Sequence, residues 1–196
     1  MANGDATEPM TLFDAWLADA AAKEPDNHTA MTLATIGSDG WPAVRVVLLK
    51  GADARGFVFY TNYLSQKGRE LRATAKASLC FHWKSVKRQV RIDGTVEQVT
   101  AAEADAYFAT RPRISQLGAW ASAQSSPLGS RALLEAKLEE VTREYDDKPV
   151  PRPPHWSGYR VLPRRLEFWE ERPFRLHERL VYDRDGAAWR TSRLYP

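Results

Sequence analysis

The run Gly37-Ser38-Asp39-Gly40 limits the fold of this chain more than any other feature. It separates the β-rich stretch Thr29 to Ile36 from Ala43 to Leu49, which is apolar at nearly every position. Glycine and aspartate accept the backbone of a tight turn, and the branched residues on either side favour extended chain, so the pair reads as a hairpin. The punctuation repeats: Gly51 to Gly56 leads into Phe57 to Thr61, and Lys84 to Lys87 joins Ser78 to Trp83 with Gln89 to Gln98. Beyond Pro149, Pro151, Pro153 and Pro154, which form a stiff connector, Ser157 to Val161, Arg165 to Trp169, Arg179 to Tyr182 and Ala188 to Arg193 read as a closing antiparallel group. Asp185-Gly186 is its last turn. Such short connections join antiparallel neighbours, since a parallel pair needs a crossover of roughly a dozen residues or more.

Helices fill the gaps. Thr11 and Asp14 resemble an N-cap arrangement, after which Leu12, Phe13, Trp16, Leu17 and Ala20 recur at helical spacing. Ser65 to Ala75 has a serine start, and Ala101 to Arg111 and Arg131 to Tyr145 are also helical in pattern, with Pro112 cutting the first of these off. The expected class is therefore α+β, a Greek-key or split antiparallel β-barrel with peripheral helices. With 196 residues, 43% of them hydrophobic, one core suffices: a flexible segment over 1–10 and a single domain over 11–196. No Rossmann or P-loop fingerprint follows any strand, so a phosphate would be held by side chains.

A net charge of +3 permits phosphate or nucleic-acid partners without demanding them. The single cysteine, Cys80, rules out an internal disulfide and a cysteine-based zinc site, and reads as core packing. His28, His82 and His155 have no partner at ligand spacing, so no metal is expected. No apolar run reaches the ~20 residues of a membrane span and no signal peptide is evident, which predicts a cytoplasmic soluble protein.

Several residues suit the binding of an anion. A strand's period of two puts Arg175, His177 and Arg179 on one face, with Leu176 and Leu180 opposite. Two permanent cations around a titratable ring fit a phosphorylated or carboxylated small molecule; a solvated face is the plainer alternative. Arg45 interrupts an apolar run, where an unpaired charge costs on the order of several kcal/mol, so it needs either a bound phosphate or an intrachain partner such as an aspartate. Strict parity sets Arg45 and Lys50 on opposite faces unless a bulge intervenes or Lys50 lies past the strand end. Tyr107 and Arg111 are neighbours on a helix, with Ser115 just beyond Pro112, a trio that suits a phosphate monoester; alternatively Arg111 and Arg113 face the negative end of the helix dipole. Gln124-Ser125-Ser126 and Ser65 are either caps or anion donors.

The motifs RVVLLK (Arg45 to Lys50), Phe59-Tyr60-Thr61-Asn62, Arg88-Gln89-Val90, YFATRPRISQLGAW (Tyr107 to Trp120), Gln124-Ser125-Ser126, Leu166-Glu167-Phe168-Trp169, Arg175-Leu176-His177 and the terminal Arg193-Leu194-Tyr195-Pro196 occur in one order. On them the chain from Thr11 onward resembles the pyridoxamine 5'-phosphate oxidase family. The resemblance implies a homodimer of FMN-binding split β-barrels with FMN in clefts between the subunits. Carried over by motif, Arg45, Val46, Val47, Leu48, Leu49, Lys50, Tyr60, Thr61, Gln66, Lys67, Gln89, Gln124, Ser125, Trp169 and Arg179 would bind FMN. Lys50, Tyr107, Arg111 and Ser115 would bind the substrate phosphate. Arg175 and His177 would lie over the pyridine ring as the catalytic pair, Arg175 orienting substrate and His177 helping to position it. The implied reaction oxidises pyridoxamine or pyridoxine 5'-phosphate with O2 to pyridoxal 5'-phosphate and H2O2, with ammonia released from the amine. The chain departs from the family pattern at Gln66, where many members have arginine, and at Ile114, where aspartate is often found; it also lacks a longer basic N-terminal arm.

Three rival readings follow from the same residues. A related split-barrel oxidase acting on a phenazine-type precursor would share the FMN residues but need not keep Lys50, Tyr107, Arg111 and Ser115. A nucleic-acid-binding barrel would carry its cations as an external stripe, whereas here they are interleaved with core positions. A binding-only flavoprotein would show no turnover.

Overall fold

The computed structural model describes residues 8–196. Among them, nine strands form one antiparallel sheet: β1 (Ala30–Ile36), β2 (Pro42–Leu48), β3 (Gly51–Asp53), β4 (Gly56–Asn62), β5 (Lys76–Trp83), β6 (Arg88–Gln98), β7 (Trp156–Glu170), β8 (Glu178–Asp185) and β9 (Ala188–Arg193). Seven of them follow the order β2-β1-β5-β6-β7-β4-β3. Strands β2 and β3 stand at its two ends, yet only Leu49 and Lys50 separate them, and the Lys50 N–H donates to the Val58 carbonyl of β4 at 2.8 Å. The sheet must curl until its ends meet. Strand β7 is the seam: Trp156 to Val161 pairs with β4, Arg165 to Glu170 pairs with β8, and β6 runs along both halves. This is the expected split barrel.

The two strands expected at Ser157 to Val161 and Arg165 to Trp169 are one 15-residue strand. Its register slips opposite Asp93 and Gly94, where Gly94 faces Pro163 and Asp93 faces Arg165, leaving Arg164 as the extra residue of a bulge. Pro163 has no N–H for the ladder, so a bulge lets the strand continue past it. Gly94 is required by the close approach: a Cβ there would lie 2.2 Å from the Leu162 carbonyl oxygen.

Helix α1 (Pro9–Lys23) fills the barrel with Leu12, Phe13, Trp16 and Ala20, all buried. The Phe13 ring meets Phe57 edge-on at 4.9 Å and Phe81 at 5.3 Å. Burial of such a ring contributes roughly 2–3 kcal/mol. The helix starts at Pro9 and not at Thr11, because proline at the first position gives up an N–H that has no acceptor there anyway. Of the segment expected to be flexible, residues 1–7 lie outside the described residues.

Helix α2 (Gln66–Thr74) is capped by Ser65, whose hydroxyl accepts from the Gly68 N–H at 3.3 Å. Helix α3 (Ala101–Ala109) starts with a reciprocal Thr100–Glu103 capping box. The sequence pattern ends this helix at Pro112 and offers no other before Arg131, but Pro112 is the N-cap of a further helix, α4 (Arg113–Ala121). Helix α5 (Arg131–Glu144) is capped by Ser130, so Gln124-Ser125-Ser126 is not a cap. The helices converge on Trp156, with Phe108, Leu117, Val141 and Val150 around it.

The strand face expected for Arg175, His177 and Arg179 does not form. Strand β8 begins only at Glu178, and Pro173–Arg175 is a single 3-10 turn with Phe174 and Arg175 at φ 58° and 62°. Pro173 cannot extend the β7 ladder, so the chain turns before it pairs again. Cys80 is half-buried and lies outside the fully buried core, because Leu79 and Phe81 take the inward positions of β5.

Candidate active site

A cleft of about 920 Å³ opens between β2, β4 and the helices. Arg45, Val46, Val47, Leu48, Lys50, Tyr60, Thr61, Lys67, Tyr107, Arg111, Ser115 and Gln124 all line it. Lys50 lies past the end of β2, which removes the parity conflict with Arg45.

One part of the cleft gathers Arg45, Thr61, Lys67 and Gln124. The Lys67 ammonium donates to Gln124 Oε1 at 2.9 Å, and the Thr61 hydroxyl reaches the same oxygen at 3.3 Å. Burial, and then the nearby Arg45 charge, hold the Lys67 pKa below the usual lysine value. Arg45 finds its carboxylate in Glu70: Nη2 lies 2.9 Å from Oε2, and Nη1 donates to the Thr35 hydroxyl. Burial alone would push the Glu70 pKa up, but hydrogen bonds from Thr35, Gln66 and Arg45 outweigh it and leave the group below its ordinary value. Gln66 donates to Glu70 Oε1 at 2.8 Å, four residues along the same helix.

Another part is built on stacked rings. Tyr60 lies on Tyr107 at 4.1 Å and on Trp156 at 5.3 Å between centroids, and the Arg111 guanidinium sits 4.6 Å from the Trp156 ring. Gly158 makes room for this, since a Cβ there would come within 2.8 Å of Tyr60 Cδ1. Arg111 Nη1 is buried with no acceptor among the described residues, and burial lowers the Arg111 pKa. Pro112 and Ser115, from the cap and first turn of α4, also line the cleft, so the positive end of that helix adds to the field. The Tyr60 pKa is raised by burial first and by Glu103 and Tyr107 next, which keeps the phenol neutral; its hydroxyl donates to the Glu103 carbonyl at 3.3 Å.

The remaining residues singled out from the sequence lie elsewhere. Gln89, Trp169 and Arg179 form one row across β6, β7 and β8. Arg179 is engaged by Glu167 at 2.8 Å and by the Tyr195 carbonyl at 3.1 Å. His177 packs against Trp169 with centroids 4.7 Å apart, and Arg175 is exposed on the preceding turn. Leu49 points into the core, Gln66 is exposed beside Lys67, and Ser125, at φ 68°, follows Gln124. The sequence reading missed Glu70, Thr35 and Trp156. The apolar run around Arg45 signalled that it needed a partner, but nothing local marked Glu70 as that partner. No cluster able to hold a metal occurs among the described residues, nor is any of their helices long and apolar enough to cross a membrane.

Residues 17–144 match the family described as "Pyridoxamine 5'-phosphate oxidase", and residues 156–196 match "Pyridoxine 5'-phosphate oxidase C-terminal dimerisation region". A pyridoxine/pyridoxamine 5'-phosphate oxidase of Azorhizobium caulinodans is 59% identical over 100% of this chain and 95% of its own length. The crystal structure of PhzG from Burkholderia lata 383, in complex with tetrahydrophenazine-1-carboxylic acid, superposes with a TM-score of 0.91 at 37% identity, covering 99% of this chain and 95% of that one. A pyridoxamine 5'-phosphate oxidase-related, FMN-binding protein of Nostoc punctiforme shares the fold, with a TM-score of 0.78 at 17% identity over 98% and 100% of the two chains.

Proposed function

This chain belongs to the pyridoxamine 5'-phosphate oxidase family, and from that premise we propose that it is an FMN-dependent oxidase converting pyridoxamine or pyridoxine 5'-phosphate to pyridoxal 5'-phosphate. The observation that carries the substrate class is Arg111, a half-buried side chain on the cleft wall whose Nη1 is buried and has no acceptor among the described residues. A buried charged donor left unmade costs more than ~1–3 kcal/mol, so an anionic ligand is its natural partner. Lys50, Ser115 and Tyr107 line the same cleft and complete a phosphate-monoester set.

The second anion set, Arg45, Lys67, Thr61 and Gln124, has the donor chemistry for the phosphate of FMN, and the low pKa of the desolvated Lys67 rises again when an anion binds beside it. Held there, FMN would supply the redox chemistry: a hydride acceptor for the carbon that becomes the aldehyde, with O2 as the final acceptor of the electron pair and H2O2 as its product. The chain's own residues fix the phosphates, hold the ring in register and shield it from water. Arg175 is assigned to orient the substrate at its reacting end, with His177 beside it.

Tyr60 pairs with Gly158 on β7, whereas Trp169 and His177 stand at the far end of that strand, after roughly 35 Å of extended chain. One chain therefore does not close both groups on one ligand, and the proposed enzyme is a homodimer whose cleft is completed by the other subunit's Gln89, Trp169, Arg175, His177 and Arg179. Exposed apolar side chains support this: Trp41 is 74% exposed, and Phe174, next to Arg175, is 93% exposed. Residues 11–196 act as one unit, and the proposed compartment is the cytoplasm.

Anaerobic titration of the FMN-loaded protein with pyridoxamine 5'-phosphate tests the reading. Bleaching of the flavin, its recovery in air and formation of pyridoxal 5'-phosphate are expected. A flavin bleached only by a carboxylated, phosphate-free aromatic would move the assignment to the phenazine-type oxidases, which the full-length structural match makes the second reading.

A further inference from the structure

In the loop between β7 and β8 the backbone N–H of Arg172 donates to Nδ1 of His177 at 3.2 Å. A peptide amide is only a donor, so Nδ1 must be the acceptor, and in a neutral imidazole the ring hydrogen then sits on Nε2. The peptide that supplies this N–H is anchored on both sides. The Arg172 guanidinium lies 2.7 Å from Glu170 Oε2 and 3.2 Å from Glu178 Oε1. Glu170 in turn accepts from Arg88 at 2.9 Å, and Arg88 reaches Asp19 of α1 at 2.7 Å, with its guanidinium over the Trp16 ring. An ionic strut thus ties the loop to the helix that fills the barrel, while Trp169 packs against the imidazole.

We propose that Arg172 is a positioning residue that fixes His177 as its Nε2–H tautomer, so that His177 meets the substrate as a neutral hydrogen-bond donor and not as a base. The inference rests on the reading that His177 lies against the substrate ring. An Nε2–H donor matches the lone pairs of an oxygen substituent on a pyridine ring. Taking up a proton would put hydrogen on both ring nitrogens, set Nδ1–H against the Arg172 N–H and break the bond that orients the ring.

The test uses FMN-loaded protein labelled with 15N-histidine. Two-bond 1H–15N spectra of the neutral ring report the tautomer directly, with the His177 signals identified by their loss in His177→Gln. Protonated Nε2 and a hydrogen-bonded Nδ1 are expected. Arg172→Ala keeps the amide but loses both carboxylate anchors, and should move the Nδ1 shift toward that of a free ring. A ring protonated on Nδ1, or an unchanged shift in Arg172→Ala, overturns the proposal. Turnover gives an independent readout: His177→Gln, which keeps an N–H near the Nε2 position but cannot act as a base, should lose markedly less activity than His177→Ala. Equal losses of ~100-fold or more, the scale of a missing general base, would also overturn it. Failure of the wild-type protein to oxidise pyridoxamine 5'-phosphate would instead reject the functional reading, and the tautomer would still be read from the spectra.

Discussion

Glu70 holds Arg45 from beneath the cleft, carboxylate to guanidinium at 2.9 Å, with Glu70 almost wholly buried and Arg45 facing the cavity. Thr35 and Gln66 take part in the same network, so the cation is aimed before any ligand arrives. Glu70→Ala should cost about 3 kcal/mol of stability, the scale for breaking a buried pair, and should weaken FMN binding as well. Urea unfolding and flavin fluorescence titration read the two effects separately.

The same carboxylate predicts an acid limb. Its folded pKa lies below 4.5, so the unfolded chain binds the proton first as pH falls. The stability it contributes is complete above 4.5 and is lost as pH drops through the depressed folded value. Urea midpoints measured from neutral pH into this range should fall less steeply in Glu70→Gln than in the wild type.

Arg111→Met removes the guanidinium whose Nη1 has no acceptor while keeping most of the side chain's bulk. KM for pyridoxamine 5'-phosphate should rise by ~100-fold, the value of a charge-assisted forked contact, while FMN binding is unchanged. Pyridoxamine without its phosphate should not distinguish the variant from the wild type. If it does, Arg111 acts on something other than the phosphate.

Gly158→Ala would bring a methyl within 2.8 Å of the Tyr60 ring. The ring can shift, so the expected result is a modest loss of stability, roughly 1–3 kcal/mol, with a larger rise in KM as the Tyr60–Tyr107 stack is displaced. Thermal melting alongside steady-state kinetics checks the balance.

Mixing two impaired variants, assayed at substrate well below the KM of Arg111→Met where each alone is nearly silent, tests the shared cleft. Arg111→Met lies in one half of the proposed site and Arg175→Ala in the other. In a co-expressed mixture half of the dimers are mixed, and each mixed dimer has one intact site, so activity should recover to about a quarter of wild type. No recovery would place both residues in one subunit's site.

Turn clusters, alternation and capping residues made the barrel's hairpins and most helices readable, because these are local properties of a few neighbouring residues. Ser65 and Gly37-Ser38-Asp39-Gly40 act where their chemistry predicts. Proline was ambiguous for the same local reason. Pro112 ends one helix and starts another, and Pro163 sits within a strand that a bulge carries past it.

What the sequence determined by itself was the set of candidate anion-binding side chains and their family order, since residue type and spacing declare charge, hydroxyls and helix faces. What only the tertiary structure decided was how those groups are divided and held. The pairing of Arg45 with Glu70, the unpaired Nη1 of Arg111 beside Trp156, the failed strand alternation at Arg175 and the distance along β7 between the two halves of the proposed site all depend on contacts between residues far apart in the chain. Such contacts arise from the curl of the sheet and the register of its strands, and no local pattern encodes either.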